Sequence, residues 1–161
     1  MAFFSSGSDK EKLMILYSLK KAGIPLSREQ IVGIMSENGL ENYIDIAQHI
    51  MELEGNACLA TVPTYRRQTI VLTSRGEEVV SLFAKTLPRS LRDGIDAYVE
   101  RKLDDFRREN TSQAETRRIS DTDYTTSLAL VENGDAFFEI RIKLPSAKYT
   151  RIAERQWDRI N

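Results

Sequence analysis

The stretch Ile70-Val-Leu-Thr-Ser-Arg-Gly-Glu-Glu-Val-Val80 constrains the fold of this chain more than any other. Branched apolar residues, the composition of a strand, run without a linker into the start of a helix. Thr73 or Ser74 can serve as the N-cap. Ser74 would place Glu77 at the third helical position, where its carboxylate can return a bond to the cap amide.

Upstream, helical periodicity appears three times. Ser8-Asp-Lys-Glu11 has the form of a capping box, followed by Leu13, Ile15, Leu16, Tyr17 and Leu19 as a broad apolar face. Lys20 and Lys21 suit the negative end of that helix, and Gly23 can terminate it. Ser27-Arg-Glu-Gln30 repeats the capping signal before Ile31, Ile34 and Met35, a short second helix ending near Asn38-Gly39. A third helix is expected from about Glu41 to Glu54, with Tyr43, Ile46, Ala47, Ile50 and Leu53 on one face. Ala57 to Val62 and Gln68 to Leu72 then have strand character, separated by the polar, basic turn Pro63-Thr-Tyr-Arg-Arg67.

Helix, short helix, helix, hairpin, helix is the order of a winged helix-turn-helix, and these residues resemble that superfamily. The junction from Ile70 to Gly76 is similar to the leucine-threonine, two residues, glycine step that follows the wing in many bacterial winged-helix regulators. More closely, Asn42-Tyr43-Ile44, Gln48 and Leu87-Pro88 through Tyr98 resemble a bacterial winged-helix regulator-like family described as a domain of unknown function. Its members join a winged helix to a small α+β tail. The resemblance implies a regulator-like role and brings no chemistry with it.

Beyond Pro88, which fits a helix's first turn, Leu91, Ile95, Tyr98, Val99, Leu103 and Phe106 recur at three- and four-residue steps. This stripe either packs on the chain's own tail or meets a second subunit, and dimerisation is the expectation. Thr111 to Ile119 has a weak strand pattern, and Tyr124, Thr126, Leu128 and Leu130 alternate more clearly. Asn133-Gly134 signals a two-residue hairpin. In the return strand Phe138, Ile140, Ile142 and Leu144 face one way, and Glu139, Arg141 and Lys143 the other. After Pro145 a last helix places Tyr149, Ile152, Ala153, Trp157 and Ile160 on one face, with Trp157 in the core. The expected fold is therefore α+β. A winged helix-turn-helix domain spans residues 1–86, and 87–161 form a tail of long helix, small antiparallel sheet covered by helices, and C-terminal helix, for dimerisation or sensing.

No catalytic constellation emerges, so no enzyme is expected, and neither a cofactor nor a metal. His49, read as at least half-exposed, has no second histidine or nearby cysteine for a tetrahedral site. The lone cysteine, Cys58, is expected as a buried thiol. No apolar run approaches the roughly 20 residues of a membrane helix. The start Met1-Ala-Phe-Phe-Ser-Ser-Gly7 lacks a secretory pattern, which makes the cytoplasm the expected location.

The fold reading makes double-stranded DNA the expected partner, with contacts from Arg28, Asn42, Gln48, His49, Tyr65, Arg66, Arg67 and Arg75. Charge opposes it. The chain's net charge is -1, and Glu41 to Glu54 carries four acids and no Lys or Arg. Two functions follow: a dimeric DNA-binding transcriptional regulator gripping mainly through Arg66 and Arg67, or a winged-helix protein-interaction module that does not bind DNA. The sequence specifies no small-molecule effector.

Overall fold

The first helix, α1 (Asp9–Ala22), ends where its glycine predicts: Gly23 takes a φ of 66°, and its amide closes on Leu19 O at 3.1 Å. The computed structural model describes residues 8–65 and 67–160. Ser8 stands at the N-cap position but makes no capping bond through its side chain. The expected reciprocal box does not form: Ser8 takes helical backbone angles (φ -81°, ψ -9°) where a capping residue is extended, and Glu11 is bonded instead to His49. Around α2 (Arg28–Glu37) the box does form: Ser27 Oγ accepts from Gln30 N at 3.2 Å, and Gln30 Oε1 accepts from Ser27 N at 2.9 Å. Helix α3 is Tyr43–Gly55.

The hairpin expected as the wing is β1 (Leu59–Thr64) and β2 (Arg67–Leu72), a two-stranded sheet. Its first strand starts later than expected because Ala57 takes a φ of 60°, turning the chain out of α3. The strands also run closer to the tip than expected, with Pro63 accommodated in β1. An antiparallel bridge joins Leu26 to Ile70, through Leu26 N to Ile70 O at 3.1 Å and Ile70 N to Leu26 O at 2.7 Å. Next comes α4 (Ser74–Phe83), a 3-10 turn (Ala84–Thr86) and α5 (Arg89–Thr111).

Thr73, the first of the two candidate residues, is the N-cap of α4. Its hydroxyl accepts from Gly76 N at 3.1 Å and donates to Ala57 O at 2.6 Å. Gly76 lies so close to the turn before β1 that a Cβ there would stand 2.2 Å from Cys58 O and 2.7 Å from a Leu72 methyl. Glycine is thus required for backbone approach.

The chain forms two compact units. The first contains the described residues through Val62 together with Gln68–Asp104; the second contains those of Pro63–Arg67 and Asp105–Asn161. Whereas the sequence division falls at 86/87, these units divide the chain within α5 and at the wing. In the first unit Ile15, Leu16, Ile31, Ile34, Ile46 and Ile50 are fully buried, with Ile95 and Val99 of α5 beside them in the same core. Half of the stripe expected to seek cover, Ile95, Val99 and Phe106, is therefore buried within the chain, and Leu91, Tyr98 and Leu103 are half-buried. A further lock is Tyr17, whose hydroxyl donates to Asp96 at 2.7 Å. Burial, then that bond, pushes its pKa up to about 12.

Cys58 is fully buried, and burial pushes its thiol above the ordinary range against the opposing influence of Arg75. A thiol-specific disulfide reagent should leave native Cys58 unlabelled while the chain in denaturant reacts to completion. Equal rates in the two states would contradict this packing.

The second unit holds β3 (Ser112–Ser120), β4 (Asp123–Glu132) and β5 (Asp135–Leu144), an antiparallel meander in that order. Asn133 and Gly134 make the β4–β5 turn with φ of 52° and 88°, as the hairpin signal requires. Register places Leu130 opposite Phe138, Leu128 opposite Ile140 and Thr126 opposite Ile142. The alternate face sets Ala129 against Glu139, Ser127 against Arg141 and Thr125 against Lys143. Helix α6 (Ala147–Trp157) lies over β4 and β3 more than over β5. Trp157, buried as expected, donates from Nε1 to Ala129 O at 3.1 Å and stacks on Phe138 at 6.1 Å.

The sheet is less covered than its pattern suggests. Phe138 is 45% and Ile140 39% exposed, while Tyr149, Ile152 and Ile160 are also exposed. The docked side of α6 is set by Thr150 and Trp157, which turns Tyr149 and Ile152 away from the core.

Candidate functional site

Two polar contacts and an apolar seam decide which side of α3 faces outward. Glu11 Oε2 meets His49 Nε2 at 2.7 Å, and Lys12 pairs with Glu52. The Glu52 carboxyl is held below the usual carboxylate range first by Lys12, then by Gln48. Ile46, Ile50 and Leu53 are buried between these contacts. The outward side therefore carries Ile44, 76% exposed, and Met51, 61% exposed, two turns apart on one stripe with Gln48 between them. Tyr43 and Asp45 flank this stripe and are exposed.

His49 is a correction. It is 6% exposed, because its position beside Ile46, Ile50 and Leu53 turns it inward to Glu11. Its Nδ1 is buried without a hydrogen-bond partner among the described residues. Asn42 is exposed, but its side-chain oxygen caps α3, accepting from Ile44 N at 3.0 Å and Asp45 N at 3.4 Å. Gln48 Nε2 donates to Glu52 at 3.1 Å. Arg28, the first residue of α2, and Arg75, in the first turn of α4, are both exposed.

The wing-tip residues belong to the second unit. Tyr65 has a φ of 54°, and its amide donates to Gly134 O at 2.7 Å. Gln113 Nε2 donates to Thr64 Oγ1 at 3.1 Å, and Arg67 Nη1 donates to Glu109 O at 2.8 Å. Arg66 lies outside the described residues. Of the eight residues expected to meet DNA, the seven that are described are thus divided: Arg28, Asn42, Gln48, His49 and Arg75 in the first unit, and Tyr65 and Arg67 in the second.

The charges are divided as well. The first unit's stretches hold 11 Lys and Arg against 14 Asp and Glu; the second's hold 12 against 10. The unit carrying α3 is therefore the acidic one, opposite in sign to what phosphate attraction requires. On the second unit Arg117, Ile119, Thr125, Ser127 and Arg141 line a shallow depression of about 270 Å³. Small-molecule sites are typically ~300–1,000 Å³.

Sequence reading missed Ile44 and Met51. Their signal was available: seven residues apart, they fall on one stripe that the inward set Ile46, Ile50 and Leu53 does not include. Among the described residues, no group of three or more His, Cys, Asp or Glu could hold a metal ion, and no helix is long and apolar enough to cross a membrane.

A family described as a domain of unknown function (DUF4364) matches residues 11–161, and the chain belongs to it. Comparison with the curated proteins and with the solved structures gives no match.

Proposed function

We propose that this member of a family of unknown function is a winged-helix protein-interaction module, and that α3 docks a partner protein instead of a DNA groove. The supporting observation is the exposed pair Ile44 and Met51 on a helix with no Lys or Arg from Tyr43 to Gly55. A major-groove helix needs polar groups aimed at base edges and cations near phosphates. Here Asn42 is used as a cap, Gln48 is bonded to Glu52, and His49 is buried. Apolar side chains flanked by the exposed acids Glu41 and Asp45 suit a partner segment that offers apolar anchors flanked by Lys or Arg. The role is regulatory and non-enzymatic.

The second reading, a DNA-binding regulator, is favoured by exposed Arg28 and Arg75, each in the first turn of a helix in the winged unit. One experiment separates the two. The full chain, carrying a photo-cross-linking residue at Gln48, is irradiated in its native host with and without Ile44→Ser/Met51→Ser. The double variant should keep its Tm, since exposed positions cost within about 0.5 kcal/mol. It should lose its protein cross-link by about tenfold or more. The proposal fails if the wild-type chain instead binds duplex DNA with affinity falling steeply in salt, Arg28→Ala/Arg75→Ala abolishes this binding, and the double serine variant retains it.

A further inference from the structure

Strand β5 pairs with β4 along one edge and with no other strand among the described residues. It is ten residues long, contains no proline, and leaves Phe138 and Ile140 half-exposed on the face it shares with α6. Tyr149 and Ile152 of α6 are exposed too, on the helix that covers the other two strands better than this one. A long edge strand with an apolar face is a template for another strand. The residues of β5 specify which strand fits.

We propose that β5 pairs antiparallel with β5 of a second copy of this chain, about a two-fold axis at Ile140, joining two three-stranded sheets into one of six. In an antiparallel pair, directly opposite residues share a face. Centring on Ile140 sets Ile140 against Ile140 and Phe138 against Ile142, apolar against apolar, on the face that carries α6. On the other face it sets Glu139 against the second copy's Arg141, and symmetry makes that pair twice. Within one chain Arg141 Nε already donates to Glu139 Oε1 at 3.2 Å, so the two side chains exchange one such partner for another.

Neighbouring registers lose this match. Centring on Glu139 opposes Glu139 to itself, and centring on Arg141 opposes Arg141 to itself. Centring on Ile142 sets Arg141 against Lys143. Centring on Phe138 leaves Ile142 and Leu144 unpaired, whereas centring on Ile140 uses the whole apolar row from Phe138 to Ile142 and places its one charged-apolar match, Phe137 against Lys143, away from the centre. A centre lying between two residues is excluded by geometry, since it would oppose side chains that point to different faces of the sheet. This interface is independent of the α3 surface.

Sedimentation of the full chain across a concentration series tests the pairing. The wild-type chain should dimerise. Glu139→Arg and Arg141→Glu should each weaken the dimer by about tenfold or more, because each sets like charges in opposition twice. Mixed one to one, the two single variants should form a heterodimer. One copy then offers arginine at both positions and the other glutamate at both, so each cross-strand pair joins opposite charges. A folding defect could not produce that recovery. Ile140→Lys should yield monomer. A wild-type chain that stays monomeric at about 100 µM, the weak end of specific association, overturns the proposal. So does a dimer indifferent to all three substitutions, or two single variants that dimerise no better together than apart.

Discussion

Gly76→Ala should destabilise the chain by about 1–3 kcal/mol, although in an exposed helix interior the same change gains about 1 kcal/mol. The sign is reversed by one contact. The new methyl would stand 2.2 Å from Cys58 O, a backbone atom held by the turn into β1, and 2.7 Å from a Leu72 methyl. A flexible side chain could yield; a carbonyl fixed by its chain cannot without moving the strand. Thr73 adds to the rigidity, since it caps α4 and also donates to Ala57 O. Urea denaturation followed by circular dichroism would measure the effect. A variant as stable as wild type would mean that the wing and α4 pack less closely than described.

A larger loss, about 3–5 kcal/mol, is expected for Trp157→Ala. The indole is 4% exposed, stacks on Phe138, and donates from Nε1 to Ala129 O. Trp157→Phe separates these contributions. It keeps an aromatic plane beside Phe138 but loses the donor and part of the ring, leaving a buried carbonyl one bond short at a cost of about 1–3 kcal/mol, with a smaller packing loss than alanine. Because Trp157 is the chain's single tryptophan, both variants need circular dichroism as the readout. Equal stability of the alanine and phenylalanine variants would show that the ring does little packing.

These two residues also mark how far the sequence could be read. Trp157 was legible as core because it sits on a helical apolar pattern beside a well-alternating strand, and Gly76 was legible as part of a strand-to-helix step. The need for glycine there was not, because it depends on Cys58 O, 18 residues away in the chain. The α3 surface divided in the same way. Hydrophobic spacing identified Ile46, Ile50 and Leu53, while His49 was misplaced because polarity alone suggested an outward position. Its partner Glu11 lies 38 residues upstream, where local rules had assigned it to a capping box. The exposure of Tyr149 and Ile152 followed from the docking angle of α6, which amphipathic spacing does not encode.

Biosynthesis imposes an order on the second compact unit. Its first residues, Pro63–Arg67, precede its remaining stretch by the whole of Gln68–Asp104. At ~5–20 residues per second, the ribosome needs about 5–18 s after Arg67 to reach Trp157. During that interval, Arg67 waits for the carbonyl of Glu109 and the amide of Tyr65 for that of Gly134. The tip of the wing is thus among the earlier segments made and among the last to acquire its native partners. A nascent chain stalled before Asp105 would present that tip without either one.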